Sequence, residues 1–205
     1  MRKGTFKRPI YAEYIAKQQA KKPSVKPQKP HTAKIKRKTK KDYYKELLAQ
    51  NTWIKAIPLG SHGSNVYEKK LWKLVSDYVR IIDFIDYGTC ISCNKKFDTW
   101  QESQGGHYRP YTKCIGYHKF SFLNVFAQCP YCNSRMNEDK FECGRIFAEN
   151  IIKRYGQYRL DTINTFTKGE PVKRELPTII NMMQVIIDFL KTLPVKPDYY
   201  HKLSS

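Results

Sequence analysis

The clearest pattern along the chain is a helical stripe of apolar residues that lies between two helix-breaking segments. An apolar residue recurs at steps of four or three, the spacing of one helix face, at Leu71, Val75, Tyr78, Ile82 and Ile85. Asn65 is the predicted N-cap and Gly88 the predicted stop. The stripe therefore predicts a long helix, packed in the core by default or, alternatively, in a dimer seam.

Two further segments carry helical spacing. Residues from Asn133 to Tyr155 place apolar side chains at helical steps before Gly156, and a last helix is predicted from Glu175 to Leu193, with Pro177 in its first turn. Residues 90–132 show little periodicity. A loop-rich stretch of that length inside a compact domain needs something other than an apolar core to hold it.

Charge is concentrated at the N-terminal end. The chain of 205 residues carries 38 Lys and Arg against 18 Asp and Glu, a net charge of +20. Residues 1–42 alone hold 15 basic and 2 acidic side chains. We interpret this segment as a largely disordered basic arm, because residues 21–41 have too few apolar residues to offset chain entropy. Residues 1–20 could form a short helix. Such an arm favours a polyanion, and a solubilising tail or attraction to an anionic membrane surface are the alternatives.

Composition excludes a wholly disordered protein and argues against a membrane protein. Hydrophobic residues make up 40% of the chain, which is enough to fill a core. No apolar stretch approaches the roughly 20 residues that span a bilayer, so we expect no integral membrane protein. The N-terminal segment lacks the apolar run of a secretory signal, and we expect an intracellular, reducing location.

Four of the six cysteines form two CxxC pairs, Cys90 with Cys93 and Cys129 with Cys132. Each pair can present two thiolates to one tetrahedral zinc ion. The 35 residues between the pairs indicate an inserted structural unit. Disulfides or a redox CxxC are the competing interpretations, and structural zinc fits a reducing compartment better.

A histidine and an asparagine lie between the two cysteine pairs, and a second asparagine follows the second pair. Gly106 precedes His107, 16 residues separate His107 from Asn124, and Asn133 comes directly after the last cysteine of the second pair. A lone histidine is more often structural than catalytic. A histidine and an asparagine between two zinc knuckles, with another asparagine after them, indicate a catalytic site more specifically than a lone histidine does.

These stretches, CISCN, GGHY and NVFAQCPYCN, resemble the NinG (Rap) recombination proteins of lambdoid phages, within the HNH or His-Me finger endonucleases. The resemblance covers about Tyr67 to Gly156. It implies an α+β fold with a small ββα-metal core, braced by the four-cysteine zinc site and flanked by α-helices. The implied domains are the arm at 1–42, a linker and helix at 43–88, the nuclease core at 89–156 and a helical extension at 157–205.

The resemblance also implies residue roles. His107 would be the general base, Asn124 would hold the loop that orients the imidazole, and Asn133 would bind a catalytic Mg²⁺ or Mn²⁺ through its amide oxygen. HNH enzymes usually place Asp or His directly before the base, where this chain has Gly106. Asp139 is a candidate to complete the cation site, with an ordinary solvated helix charge as the alternative.

Four cations lie in or around the insert: Arg109, Lys113, Lys119 and Arg135. They would face DNA phosphates if the fold is as implied, and would otherwise be solvated surface charges.

The expected function is a metal-dependent DNA endonuclease of phage-type recombination that acts on branched DNA, such as a Holliday junction or D-loop. Paired nicks at a junction would suit a homodimer, and the location would be the cytoplasm of a bacterial host. The alternatives are a nicking HNH enzyme without branch preference and a non-catalytic zinc module that binds DNA or recruits partners.

Overall fold

The computed structural model describes residues 39–135, 142–169 and 172–203. Most of the basic arm predicted at 1–42 lies outside the described residues, as does Asp139. Within the described part, six α-helices follow in the order α1 Lys40–Gln50, α2 Val66–Asp86, α3 Pro130–Arg135, α4 Glu142–Tyr155, α5 Gln157–Asn164 and α6 Leu176–Thr192. None of these helices combines the length and apolar character that a membrane span requires.

Helix α2 begins and ends where the sequence predicts. Asn65 Oδ1 accepts hydrogen bonds of 3.0 Å from the backbone N–H groups of Tyr67 and Glu68, which satisfies two of the donors left free at a helix start. Gly88 follows the helix with a φ of +62°, a left-handed conformation that glycine adopts without strain.

The apolar stripe of α2 forms the core of the chain. Leu71 and Val75 are fully buried, and the helix contacts α6 and both strands. Ile85 departs from the pattern and is 44% exposed, because it lies in the last turn beyond the packed surface. Core packing is therefore confirmed for the body of the stripe.

The other predicted helices form with shifted boundaries. Helix α6 follows Glu175 and holds Pro177 in its first turn, as predicted. The single helical region expected from Asn133 to Tyr155 contains two described helices, α3 and α4. Helix α3 starts earlier than expected, because Pro130 fits the first turn of a helix.

A two-stranded antiparallel sheet lies between the cysteine pairs. Strand β1 spans Gln104–His107 and strand β2 spans Val125–Gln128, with His107 paired to Val125 and Gln104 to Gln128. All four residues of β2 are buried, and α3 begins two positions after it ends. The mixed α+β class is confirmed, and its elements run strand, strand, helix around the cysteines.

A buried carboxylate fastens α2 to this hairpin. Asp83 is 0% exposed, and its Oδ2 accepts a 2.8 Å hydrogen bond from the backbone N–H of Ala127 in β2. Its Oδ1 accepts a 2.7 Å hydrogen bond from the hydroxyl of Tyr155, at the end of α4. One side chain thus holds a helix, a strand and a second helix in register.

We expect Asp83→Ala to lower the free energy of unfolding by about 2–4 kcal/mol, because it leaves the buried N–H of Ala127 and the Tyr155 hydroxyl without this acceptor. Urea unfolding of the zinc-loaded protein measures this. The matched control is Asp188→Ala, which removes an exposed ion pair with Lys191 and should change stability by no more than about 1 kcal/mol. Equal losses for the two variants would contradict the role of Asp83.

Candidate metal centre and histidine site

Four cysteine sulfurs converge beside the hairpin, all within 4.8 Å of one another. They belong to Cys90, Cys93, Cys129 and Cys132, and three of the four side chains are buried. The sulfurs of Cys93 and Cys129 are 3.8 Å apart. Thiolates about 2.3 Å from a tetrahedral zinc ion stand about 3.8 Å from one another, whereas a disulfide bond is about 2.05 Å long. The cluster can therefore hold a metal ion such as zinc.

The chemistry of the thiols fits the same conclusion. Burial raises the pKa of Cys90 to about 11, and burial, followed by the charge of Cys90, raises the pKa of Cys132. Burial opposes ionisation of Cys129 as well, but hydrogen bonds led by the backbone N–H of Cys132 lower its pKa. Four thiolates cannot coexist there without a cation, so metal binding would release protons.

The His107 ring lies in an aromatic cleft against α2. It stacks on the indole of Trp72 with centroids 4.5 Å apart and planes 17° apart. His62 and Tyr111 contact it edge-on at 5.7 and 5.6 Å. The side chain is partly buried rather than sealed in the core. The stacked indole, the Tyr111 ring and the second imidazole thus fix the plane of the ring while leaving part of it accessible.

One ring nitrogen of His107 is committed to the backbone. Its Nε2 lies 3.1 Å from the carbonyl oxygen of Lys119, and because a carbonyl only accepts, Nε2 must carry the proton. Burial lowers the pKa of His107 to about 4. The imidazole is therefore neutral at neutral pH, with Nδ1 as its proton acceptor.

Asn124 closes the loop that carries this carbonyl. Fully buried just before β2, it accepts a 2.7 Å hydrogen bond from the backbone N–H of Arg109 on Oδ1. Its Nδ2 donates to the carbonyl of the same Arg109 at 2.9 Å. The residue therefore binds both backbone groups of a position two residues after His107, the kind of contact that would hold a loop.

The structure does not bring Asn133 to the face that His107 occupies. Side chains alternate along a strand, and a Cβ on Gly105 would meet Ser76 of α2, on the His107 side. A Cβ on Gly106 would instead point at Gln128 and at Asn133 Oδ1. The imidazole and the amide therefore lie on opposite faces of β1.

The four predicted cations have different surroundings. The backbone carbonyl of Lys119 contacts His107, and the Nζ of the same residue lies 5.1 Å from the centre of the Tyr111 ring. Arg109 donates through Nε to Asn164 Oδ1 at 3.1 Å, so its guanidinium is held by α5. Lys113 is exposed, and Arg135 is exposed at the end of α3, where it donates to the hydroxyl of Tyr131.

The residues that surround the imidazole lie outside every predicted site. His62 lies in the helix-breaking segment before α2, and its ring stacks on Tyr111 at 5.0 Å beside His107. Trp72 is an apolar residue of α2 outside the predicted stripe. Neither residue belongs to a motif or has a fixed spacing to His107, so no local signal could have found them.

We expect Cys132→Ser to abolish stoichiometric zinc binding and to unfold the hairpin region, because one of four ligands is lost from the site. Zinc content by metal analysis and thermal melting measure both effects. The matched control is Cys114→Ser, another buried thiol outside the cluster, whose sulfur faces Arg109 and Asn124. Full zinc content in Cys132→Ser would contradict the four-cysteine site.

Comparison with known proteins places the chain in a family. A family model described as bacteriophage lambda NinG protein matches residues 6–194. No curated protein and no solved structure gave a significant match. Since the matched region covers nearly all of the 205 residues, the chain belongs to the bacteriophage lambda NinG family.

Proposed function

We propose that this protein is a metal-dependent DNA endonuclease of phage recombination, with His107 as the general base. Membership of the NinG family indicates a role related to phage recombination. The observation that carries the catalytic proposal is the state of the imidazole: neutral, held in one plane and protonated on Nε2 against the carbonyl of Lys119.

That state suits proton abstraction from water. Nδ1 of neutral His107 would accept a proton from the attacking water, whose oxygen forms a bond to phosphorus as the bond from phosphorus to the 3′ oxygen breaks. The departing 3′ oxygen then takes a proton from solvent. The Lys119 carbonyl stabilises the imidazolium that forms, because Nε2–H already donates to it.

The surroundings of His107 supply orientation rather than protons. Asn124 fixes the backbone of Arg109 at the start of the loop that returns to Lys119, so a change at Asn124 would move the carbonyl away from Nε2. Stacking on Trp72 restricts rotation of the ring. A base held in one orientation loses little entropy as it reaches the transition state.

The proposal includes two metal ions, one structural and one catalytic. Zinc in the four-cysteine cluster would be structural, because four thiolates leave no open position for water. A Mg²⁺ or Mn²⁺ ion would stabilise charge on the scissile phosphate and on the leaving oxygen. Asn133, with its amide oxygen, would bind this ion, as the resemblance implies, and Asp139 is the candidate outside the described residues.

The proposed substrate is DNA, and branched DNA follows from the recombination role. The net charge of +20 supports binding to a phosphate backbone, and the basic segment at 1–42 adds most of that charge. Lys119, whose Nζ lies over the Tyr111 ring that contacts His107, is the predicted cation that we propose contacts the phosphate that is cut. Paired cuts at a junction would require two copies of the chain.

We expect His107→Ala and His107→Gln each to reduce cleavage of a labelled four-way junction in Mg²⁺ or Mn²⁺ by about 100-fold or more, because the base is lost. Junction binding should remain within about threefold, since phosphate contacts dominate affinity. His107→Gln keeps a donor for the Lys119 carbonyl and so separates lost chemistry from lost folding.

The matched control is His118→Ala, an exposed histidine of the same loop that stacks on Phe166 and should cleave at nearly the wild-type rate. Cleavage by both His107 variants at the wild-type rate would refute the base. Tight junction binding without any cleavage by the zinc-loaded wild-type protein would instead identify a non-catalytic DNA-binding module. Equal cleavage of duplex and junction would identify a nicking enzyme without branch preference.

A further inference from the structure

The face of the hairpin opposite His107 has no room for a side chain at Gly106. A Cβ atom at this position would overlap Gln128 Oε1 and would stand 2.9 Å from Asn133 Oδ1. Two amide oxygens therefore converge on the place where a side chain at position 106 would begin. Glycine is the residue that leaves room there for the Gln128 amide.

Gln128 places its oxygen there without a partner. The side chain is fully buried, and its Nε2 donates a 2.6 Å hydrogen bond to Ser92 Oγ. Its Oε1 is buried and accepts no hydrogen bond from any described residue. A buried acceptor without a donor is rare in native proteins. We therefore expect a bound ligand to contact this oxygen.

Asn133 is oriented in the same way. Its Nδ2 donates to Gln104 Oε1 at 2.8 Å, and its Oδ1 lies on the side of Gly106. Gln104 precedes Gly106 by two residues on the same face of β1. Each amide thus donates one N–H group to a neighbour, and the two amide oxygens converge beside Gly106.

We propose that Gln128 Oε1 and Asn133 Oδ1 are protein ligands of one hard divalent cation, with Gln128 in place of the acidic side chain that HNH enzymes usually carry at the position of Gly106. This inference rests on the proposed nuclease function and adds Gln128 to its cation site. Amide oxygens are suitable ligands for Mg²⁺ and Mn²⁺.

The ligand charge predicts how this ion binds. Both oxygens belong to neutral amides, and divalent-ion affinity depends strongly on the number of charged ligands. The free protein should therefore bind the ion weakly. A DNA phosphate oxygen adds negative charge and a further hard ligand, so DNA and cation should strengthen each other's binding by the same factor.

The experiment measures Mn²⁺ binding by the electron paramagnetic resonance signal of free Mn²⁺, with and without a DNA junction. The protein is the full zinc-loaded chain carrying His107→Ala, so that DNA stays intact and cleavage is not the readout. Gln128→Glu adds a carboxylate at the proposed ligand, and Gln128→Leu removes its oxygen. Gln101→Glu, at an exposed position, is the matched control for added negative charge.

We expect Gln128→Glu to tighten Mn²⁺ binding about tenfold or more and Gln128→Leu to weaken it by a similar factor, while Gln101→Glu changes it less than about twofold. Junction DNA should tighten binding to the parent protein and lose that effect in Gln128→Leu. Should Gln128→Leu fail to fold, Gln128→Glu decides: Mn²⁺ should raise its melting temperature more than that of the parent.

Equal Mn²⁺ binding by the parent, Gln128→Glu and Gln128→Leu would overturn the inference. A Gln128→Glu variant that stays unfolded in Mn²⁺ would overturn it too. Neither result touches the nuclease proposal if the wild-type protein cuts junctions. Conversely, Mn²⁺ binding that depends on Gln128 would stand even if no cleavage were found.

Discussion

Two hydrogen bonds from one buried amide hold the candidate site of this protein in place. Asn124 binds the N–H and the carbonyl of Arg109, and its own carbonyl accepts from the N–H of Tyr108 at 3.0 Å. These bonds close the loop between the two strands at its base. Since the loop also contains Lys119, they set where the carbonyl that binds His107 can lie. A substitution of Asn124 would therefore be expected to change the hydrogen bond between His107 and the Lys119 carbonyl, although these hydrogen bonds join Asn124 to the backbone and not to the ring.

The hairpin separates two kinds of chemistry by strand alternation. On the side of α2, aromatic rings and burial keep His107 neutral. On the other side, glycine at position 106 lets the amide oxygens of Gln128 and Asn133 approach each other. The four-cysteine cluster lies at the end of the same hairpin, with Cys129 directly after β2. The proposed base and the proposed cation site therefore lie on different faces, although adjacent residues of β1 define them.

The sequence predicts part of this arrangement because some signals are local. Asn65 and Gly88 mark the two ends of α2, and both can be predicted because helix capping and chain reversal depend on neighbouring residues alone. The paired CxxC spacing likewise predicts the cysteine cluster. By contrast, the position of His62 beside His107 depends on how the segment before α2 folds back, and no periodicity encodes that. The unpaired oxygen of Gln128 is visible only once its neighbours are in place. His107 and Asn133 lie on opposite faces of β1 because of how β1 and α3 pack against each other, which the number of residues between them does not reveal.

The proposed mechanism depends on a neutral His107, with the proton on Nε2 and Nδ1 as the acceptor. Nitrogen-15 NMR of the imidazole, followed from about pH 8 to about pH 4 in the zinc-loaded protein, measures both the protonation sites and the pKa. We predict a protonated Nε2, an unprotonated Nδ1 and a pKa of about 4. A pKa near the unperturbed value of about 6.5, or a proton on Nδ1 at neutral pH, would refute this state of the ring.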